Sequence, residues 1–333
     1  MDAESTGLSD AELSAARLEI DDPLSMPNLC RDKPPADLAP EIVGEYHLPT
    51  GTDFIWCCHC QGHHHLNGFV ITNETGRHYL LGSDCGPKHY DLSFKLARRT
   101  HQLKVRRRGV LDRLNAIVAM APVVKATIQE ILHSEELRLV NAKREELRRA
   151  SESAYSSLAT AVMTGMPLQE FVRVRDVAAE QTRDARLPGD ETGPPIYTME
   201  PHSLGRVAGG GMLRDRGDCR DHLLALKGSI ERVLAIHRDV TDNFNIHALT
   251  NAVRETEGAW DAARDAITEV EFADAFFTEG NLNRLERWSA DNRYFKLFGD
   301  GQRLIVMNQA GKQTIIEPLA PVTLAKLPRF MEA

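Results

Sequence analysis

The chain has 333 residues, 42% of them hydrophobic, which is more than one compact core needs and enough for two or three units. Forty basic against 48 acidic side chains leave a net charge of -8, which excludes a protein coated in basic charge for nucleic acid or membrane, so any basic surface must be local. The longest apolar run, Ala116 to Val124, spans nine residues, and the start Met1-Asp2-Ala3-Glu4 lacks a secretory pattern; a soluble, cytoplasmic chain without membrane contact is expected.

Residues 1–50 carry eleven acidic side chains against Arg17, Arg31 and Lys33, which accounts for the whole net charge. With prolines interspersed, residues 1–40 read as an acidic, largely disordered tail with one short helix around Asp10 to Ile20. Residues 41–92 turn to β: Ile42 to Tyr46 and Phe54 to Trp56 are predicted strands, and Phe69 to Thr72 and Arg77 to Leu81 flank the hairpin turn Asn73-Glu74-Thr75-Gly76. Residues 93–187 read as long helices with a basic start, kinked or restarted at Pro122. Residues 188–217 form a loop rich in glycine and proline.

Within 218–291 the residues Leu223, Leu226, Ile230, Val233, His237, Val240 and Phe244 recur in steps of three and four. Leu249, Val253, Thr256, Trp260, Ala263, Ile267 and Val270 follow much the same rule. Two helices with narrow apolar seams, joined near Asn243 to Ile246, predict an antiparallel hairpin with coiled-coil-like packing and His237 as a seam residue. Tyr294 to Phe298, Leu304 to Asn308 and Thr314 to Glu317 predict a small β meander within 292–318, and 319–333 is a tail.

Chemistry concentrates between Cys57 and His89, a window holding four of the six cysteines and six of the thirteen histidines. Tetrahedral zinc wants four thiolate or imidazole ligands, and two closely spaced pairs supply them without long loops. Cys57 and Cys60 follow a predicted strand, the hairpin comes next, and Cys85 and His89 stand where a helix begins; these four are the predicted zinc site. His64 or His65 stands near enough to the knuckle to take the place of His89. Cys58 points away from its neighbours, and Cys30 and Cys219 are isolated, so none of the three is expected to bind.

Knuckle, hairpin and a second ligand pair on the first helical turn resemble the treble-clef zinc-finger superfamily over residues 54–95. The resemblance implies a structural zinc in a small fold that binds nucleic acid or protein and, in its His-Asn-His endonuclease branch, cleaves DNA. The expected fold class is mainly α: a small α+β treble-clef-like finger, long antiparallel helical hairpins and a short C-terminal β meander.

Just beyond the finger, residues 88–108 hold eight cations against Asp91 alone. Lys88, Lys95, Arg99 and Arg106 fall on one helical line, while Leu92, Leu96, Leu103, Val110 and Leu114 form an apolar stripe about 60° away, at about 100° per residue. One side is expected to pack and the other to offer cations to phosphate, with Lys88, Lys95, Arg98, Arg99, Arg106 and Arg107 as the candidate contacts. The bland alternative pairs the stripe with Glu130, Glu135, Glu136, Glu145 and Glu146. Four ligands would close the zinc's coordination sphere, which favours structure over catalysis. No deaminase signature, P-loop or serine elbow is present. The expected function is non-enzymatic nucleic-acid binding. A protein-interaction adaptor working through the helical hairpins is the alternative, and a nuclease using the His63-His64-His65 run is a second.

Overall fold

A computed structural model of the chain describes residues 8–35, 38–62, 64–186, 193–214, 218–239 and 244–329. It divides into two compact units, Met1–Met120 with Ile230–Thr256, and Ala121–Ser229 with Glu257–Ala333.

The first unit begins with α1 (Asp10–Ala15), closed by a capping box in which Ser9 and Glu12 satisfy each other's backbone N–H groups. The expected disordered tail is instead packed over its described residues. Leu13, Leu18 and Ile20 are buried, and β-bridges join Glu19 to Glu45 and Leu29 to His78. Those few apolar residues among the acids bury enough surface to offset ordering the chain, which a composition-based reading of disorder overlooks. Residues 1–7 and 36–37 of that tail lie outside the described residues.

Next come β1 (Glu41–His47), β2 (Ile55–Trp56), β3 (His64–His65), β4 (Asn67–Thr72) and β5 (His78–Gly82). An antiparallel sheet orders them β1-β4-β5, and β2 pairs with β3. At the predicted β4–β5 turn the Asn73 side chain accepts from the N–H groups of Thr75 and Arg77, and Gly76 takes φ 72°. The core beneath gathers Ile42, Tyr46, Val70, Ile71, Leu80, Leu81 and Phe94.

Helix α2 (Cys85–Leu132) follows, and its break comes at Asp91 (φ 34°, ψ -110°), not at Pro122, where the backbone stays helical. It alone among the described helices is long and apolar enough to cross a membrane, but Leu114, Ile117, Val124, Ile128 and Ile131 are buried in the fold.

In the second unit, α3 (Glu135–Ala150) and α4 (Glu152–Thr164) meet at Ser151, which caps α4 by accepting from Ala154. Buried Arg144 donates to the Met212 carbonyl at 2.9 Å and to Asp218 at 3.1 Å. Strands β6 (Leu168–Arg175) and β7 (Tyr197–Gly205) depart from the expected helices and loop, with helix α5 (Val177–Asp184) between them. The two strands pair antiparallel, Phe171 opposite Pro201 and Val174 opposite Thr198. Most of this ribbon is exposed, so it shows no inside-outside alternation to read, and its second strand lies in the glycine- and proline-rich stretch. Residues 187–192 and 215–217 of that stretch lie outside the described residues.

Helices α6 (Cys219–Arg238) and α7 (Ile246–Glu271) carry the two predicted seams. Leu223, Leu226, Ile230, Val233, Leu249, Val253, Thr256, Trp260, Ala263, Ile267 and Val270 are all buried, and Arg232 pairs with Glu255 at 3.1 Å. His237 is exposed and so leaves the seam, while Val240 and the junction at 240–243 lie outside the described residues. Helix α8 (Glu279–Ser289) and the meander β8 (Phe295–Asp300), β9 (Arg303–Asn308) and β10 (Gln313–Ile316) end the chain's regular structure, with the sheet ordered β10-β9-β8.

Ile230 is fully buried, so Ile230→Ala should cost about 2 to 4 kcal/mol through the cavity it leaves. Glu145, partly exposed and paired with Arg148 one turn away, should cost under about 0.5 kcal/mol as Glu145→Ala. Thermal unfolding of the two variants checks the contrast; indistinguishable midpoints would contradict the seam.

Candidate metal centre and basic helix

Three cysteines converge. The ligand atoms of Cys57, Cys60 and Cys85 lie within 4.8 Å of one another, and the Cys85 and Cys60 sulfurs are 3.4 Å apart. Cys57 leaves the end of β2 and Cys60 sits in the turn that follows, where the Gln61 N–H closes onto the Cys57 carbonyl at 3.0 Å. Cys85 opens α2 directly after β5, so one sheet and one helix start fix all three sulfurs. This cluster can hold a metal ion.

Each other candidate ligand has a definite place. His89 does not enter the 4.8 Å group; its ring stacks on His59 at a centroid distance of 3.8 Å. His63 and the side chain of His64 lie outside the described residues. His65 turns inward: its Nδ1 stands 3.1 Å from the Tyr46 hydroxyl, and the two rings stack at 5.8 Å. Cys58 faces away and donates to the Cys30 carbonyl at 3.0 Å. Cys30 lies at the rim of the core beneath the β1-β4-β5 sheet and Cys219 is buried at the start of α6.

Two glycines create the slot for the Tyr46 and His65 rings. Gly68 and Gly82 pair across β4 and β5. A Cβ on Gly68 would stand 2.5 Å from the Tyr46 hydroxyl, and one on Gly82 would stand 2.7 Å from His65 Cδ2. No other residue type leaves that room. The sequence reading missed Tyr46, Gly68 and Gly82. Glycine at facing strand positions is the signal that would have found them.

The electrostatics fit a cation site. Burial pushes the Cys57 thiol up, but hydrogen bonds from His65, the Gly82 and Cys60 backbone and the Cys60 thiol outweigh it and hold it at about 5. Cys85 goes the other way, to about 12, through burial and its hydrogen bonds to Cys60 and Cys57. The cluster therefore favours negative charge on Cys57 over Cys85, and a bound cation would displace the protons its thiols retain.

Along α2, Lys88, Lys95, Arg98, Arg99 and Arg106 are exposed. Lys95 pairs with Asp91 at 3.0 Å across two exposed side chains, and Arg98 lies over the Phe69 ring. Arg107 drops out of the candidate contacts, because it donates to both Asp10 carboxylate oxygens and, at 3.0 Å, to the Phe244 carbonyl. Lys104 is likewise turned to Glu41 at 3.1 Å. Glu135, Glu145 and Glu146 pair with Arg138, Arg148 and Lys143 on their own helix instead of with the stripe. The expected apolar stripe splits: Val110 and Leu114 are buried, whereas Leu92 and Leu96 are 66% and 57% exposed beside the cations.

The Asp10–Arg107 pair is nearly buried, at 8% and 13% side-chain exposure. Asp10→Ala leaves a buried guanidinium without its carboxylate and should cost about 3 kcal/mol by denaturant unfolding. A loss under about 0.5 kcal/mol would place α1 off the helix.

No protein-family model, curated protein or solved structure matches the chain.

Proposed function

We propose that the chain is a non-enzymatic nucleic-acid-binding protein in which a zinc held by Cys57, Cys60, Cys85 and one histidine pins the start of α2, whose solvent face contacts phosphate. The observation that carries this reading is the set of exposed cations, Lys88, Lys95, Arg98, Arg99 and Arg106, running from the metal-pinned turn in a protein of net charge -8. Zinc follows from the donors: three thiols with an imidazole nearby suit a tetrahedral, redox-inert ion. The order of knuckle, hairpin and helix supports a treble-clef-like finger. The nuclease reading needs a general base open to substrate; of its candidate histidines, the described His65 has a buried Nε2 and an Nδ1 facing Tyr46.

A second reading is favoured by Leu92 and Leu96, which stay exposed on α2 beside the cations. Apolar side chains among positive ones also suit an acidic amphipathic protein segment, which would make the chain an adaptor. Titration with a fluorescent oligonucleotide at two salt concentrations separates the two. Nucleic-acid binding predicts an affinity that falls steeply with salt; no measurable binding at low salt leaves the adaptor.

A further inference from the structure

Among the described residues no fourth ligand stands with the three cysteines, and the histidines described nearby are His89 on the helix, His65 on the sheet and His59 in the turn between Cys57 and Cys60. Three observations favour the sheet. The Nε2 atom of His65 is buried without a hydrogen bond of ordinary geometry, and the His65 side chain stands against the Cys57 sulfur. A buried imidazole nitrogen without a partner is costly, and a metal ion is one of the few things that satisfies it. The opposite nitrogen, Nδ1, is held 3.1 Å from the hydroxyl of Tyr46, itself 1% exposed. Metal-bound histidines ordinarily carry such an anchor on the other nitrogen, which fixes ring direction and tautomer. Finally, Gly82 brings its backbone against the His65 ring, with a hypothetical Cβ 3.3 Å from Nε2, and the N–H of the same Gly82 hydrogen-bonds the Cys57 sulfur. Ring and sulfur thus share one neighbour. His89, by contrast, is exposed and stacked on His59 outside the cluster.

We infer that His65 is the fourth metal ligand, binding through Nε2, with Tyr46 as the positioning residue that accepts the Nδ1–H. The inference rests on the metal reading above and changes its architecture: the metal clasps the two ends of the β2–β3 pair to the start of α2, with a single ligand on the helix. No His65 nitrogen lies within the 4.8 Å group, so the ring would have to close on the thiols as metal loads.

The test uses the full chain and cobalt(II) as the probe, because cobalt absorption distinguishes three sulfurs and one nitrogen from four sulfurs. Wild type should bind one cobalt with a three-thiolate, one-imidazole spectrum. His65→Cys should still bind and shift to a four-thiolate spectrum, which no merely structural role would produce. His65→Ala should weaken binding at least about 100-fold in competition with a chelator. His89→Ala and His59→Ala should leave spectrum and affinity unchanged. Tyr46→Phe should keep the spectrum and weaken binding about 10- to 100-fold. Unchanged spectra in both His65 variants, with a changed one in His89→Ala or His59→Ala, would overturn the assignment while leaving the metal centre intact. Wild type that takes up no cobalt would overturn the metal centre itself.

Discussion

Cys60→Ser and Cys85→Ser should each lose the metal, and Cys58→Ser and Cys219→Ser should keep it. Binding of a structural zinc is worth about 10 to 16 kcal/mol in small fingers, or about 3 kcal/mol per ligand, so one missing thiolate should weaken affinity by about 100-fold or more. Hydroxyl oxygen does not replace the thiolate at neutral pH. The control positions differ for reasons visible in the fold. Burial pushes the Cys58 thiol up while its S–H is spent on the Cys30 carbonyl, and burial together with Asp218 pushes Cys219 to about 12. Both remain neutral and outside the cluster. Metal content after gel filtration reads the result: near one equivalent for wild type and the controls, below about half for the two ligand variants. Because the Cys85 proton must leave on loading, metal uptake should release protons, and affinity should fall as pH falls. Four proteins with equal metal content would contradict the site.

Lys95→Glu with Arg106→Glu should cut nucleic-acid affinity by about 100-fold at 50 mM salt and flatten its salt dependence, without loss of metal. Each phosphate bound by a cation contributes roughly 0.7 to 0.9 of a log unit per log unit of salt. Removing two such cations, across the roughly 1.3 log units between 1 M and 50 mM, therefore amounts to about two log units of affinity. Both positions are exposed, and the Lys95 pairing with Asp91 spans two open side chains, which a phosphate displaces at little cost. Neither residue touches the thiol cluster, so unfolding is not the expected cause; equal thermal midpoints for variant and wild type check this. A variant that binds as tightly as wild type, with the same slope, would remove α2 from the interface.

Much of this was legible in residue spacing. The two paired cysteine positions around a hairpin pointed to the Cys57, Cys60 and Cys85 cluster, and the steps of three and four in α6 and α7 pointed to the buried seams. The β meander shows in the sequence as alternation closed by glycine turns. Three features escaped for physical reasons. The exposed β6–β7 ribbon carries no burial pattern, and a proline- and glycine-rich stretch hides its second strand. The positive φ of Asp91 breaks α2 where its residue type carries no break signal, while the helix accommodates Pro122 by giving up one backbone bond. Local sequence does not show that Asp10 reaches Arg107, or that Glu41 reaches Lys104, because those pairs depend on tertiary packing. They reduce the basic stripe from a continuous run to one solvent-facing line.

If a metal-pinned turn presents α2 to nucleic acid, removing the metal should weaken binding. Full-length protein loaded with zinc is titrated with a labelled oligonucleotide at 50 mM salt, then stripped with a chelator, titrated again, and reloaded. The loaded protein should bind in a salt-sensitive way, bind at least about tenfold more weakly after stripping as the start of α2 loses its anchor, and recover on reloading. Loaded protein that fails to bind at this salt, or affinity that is the same before and after stripping, would contradict this reading.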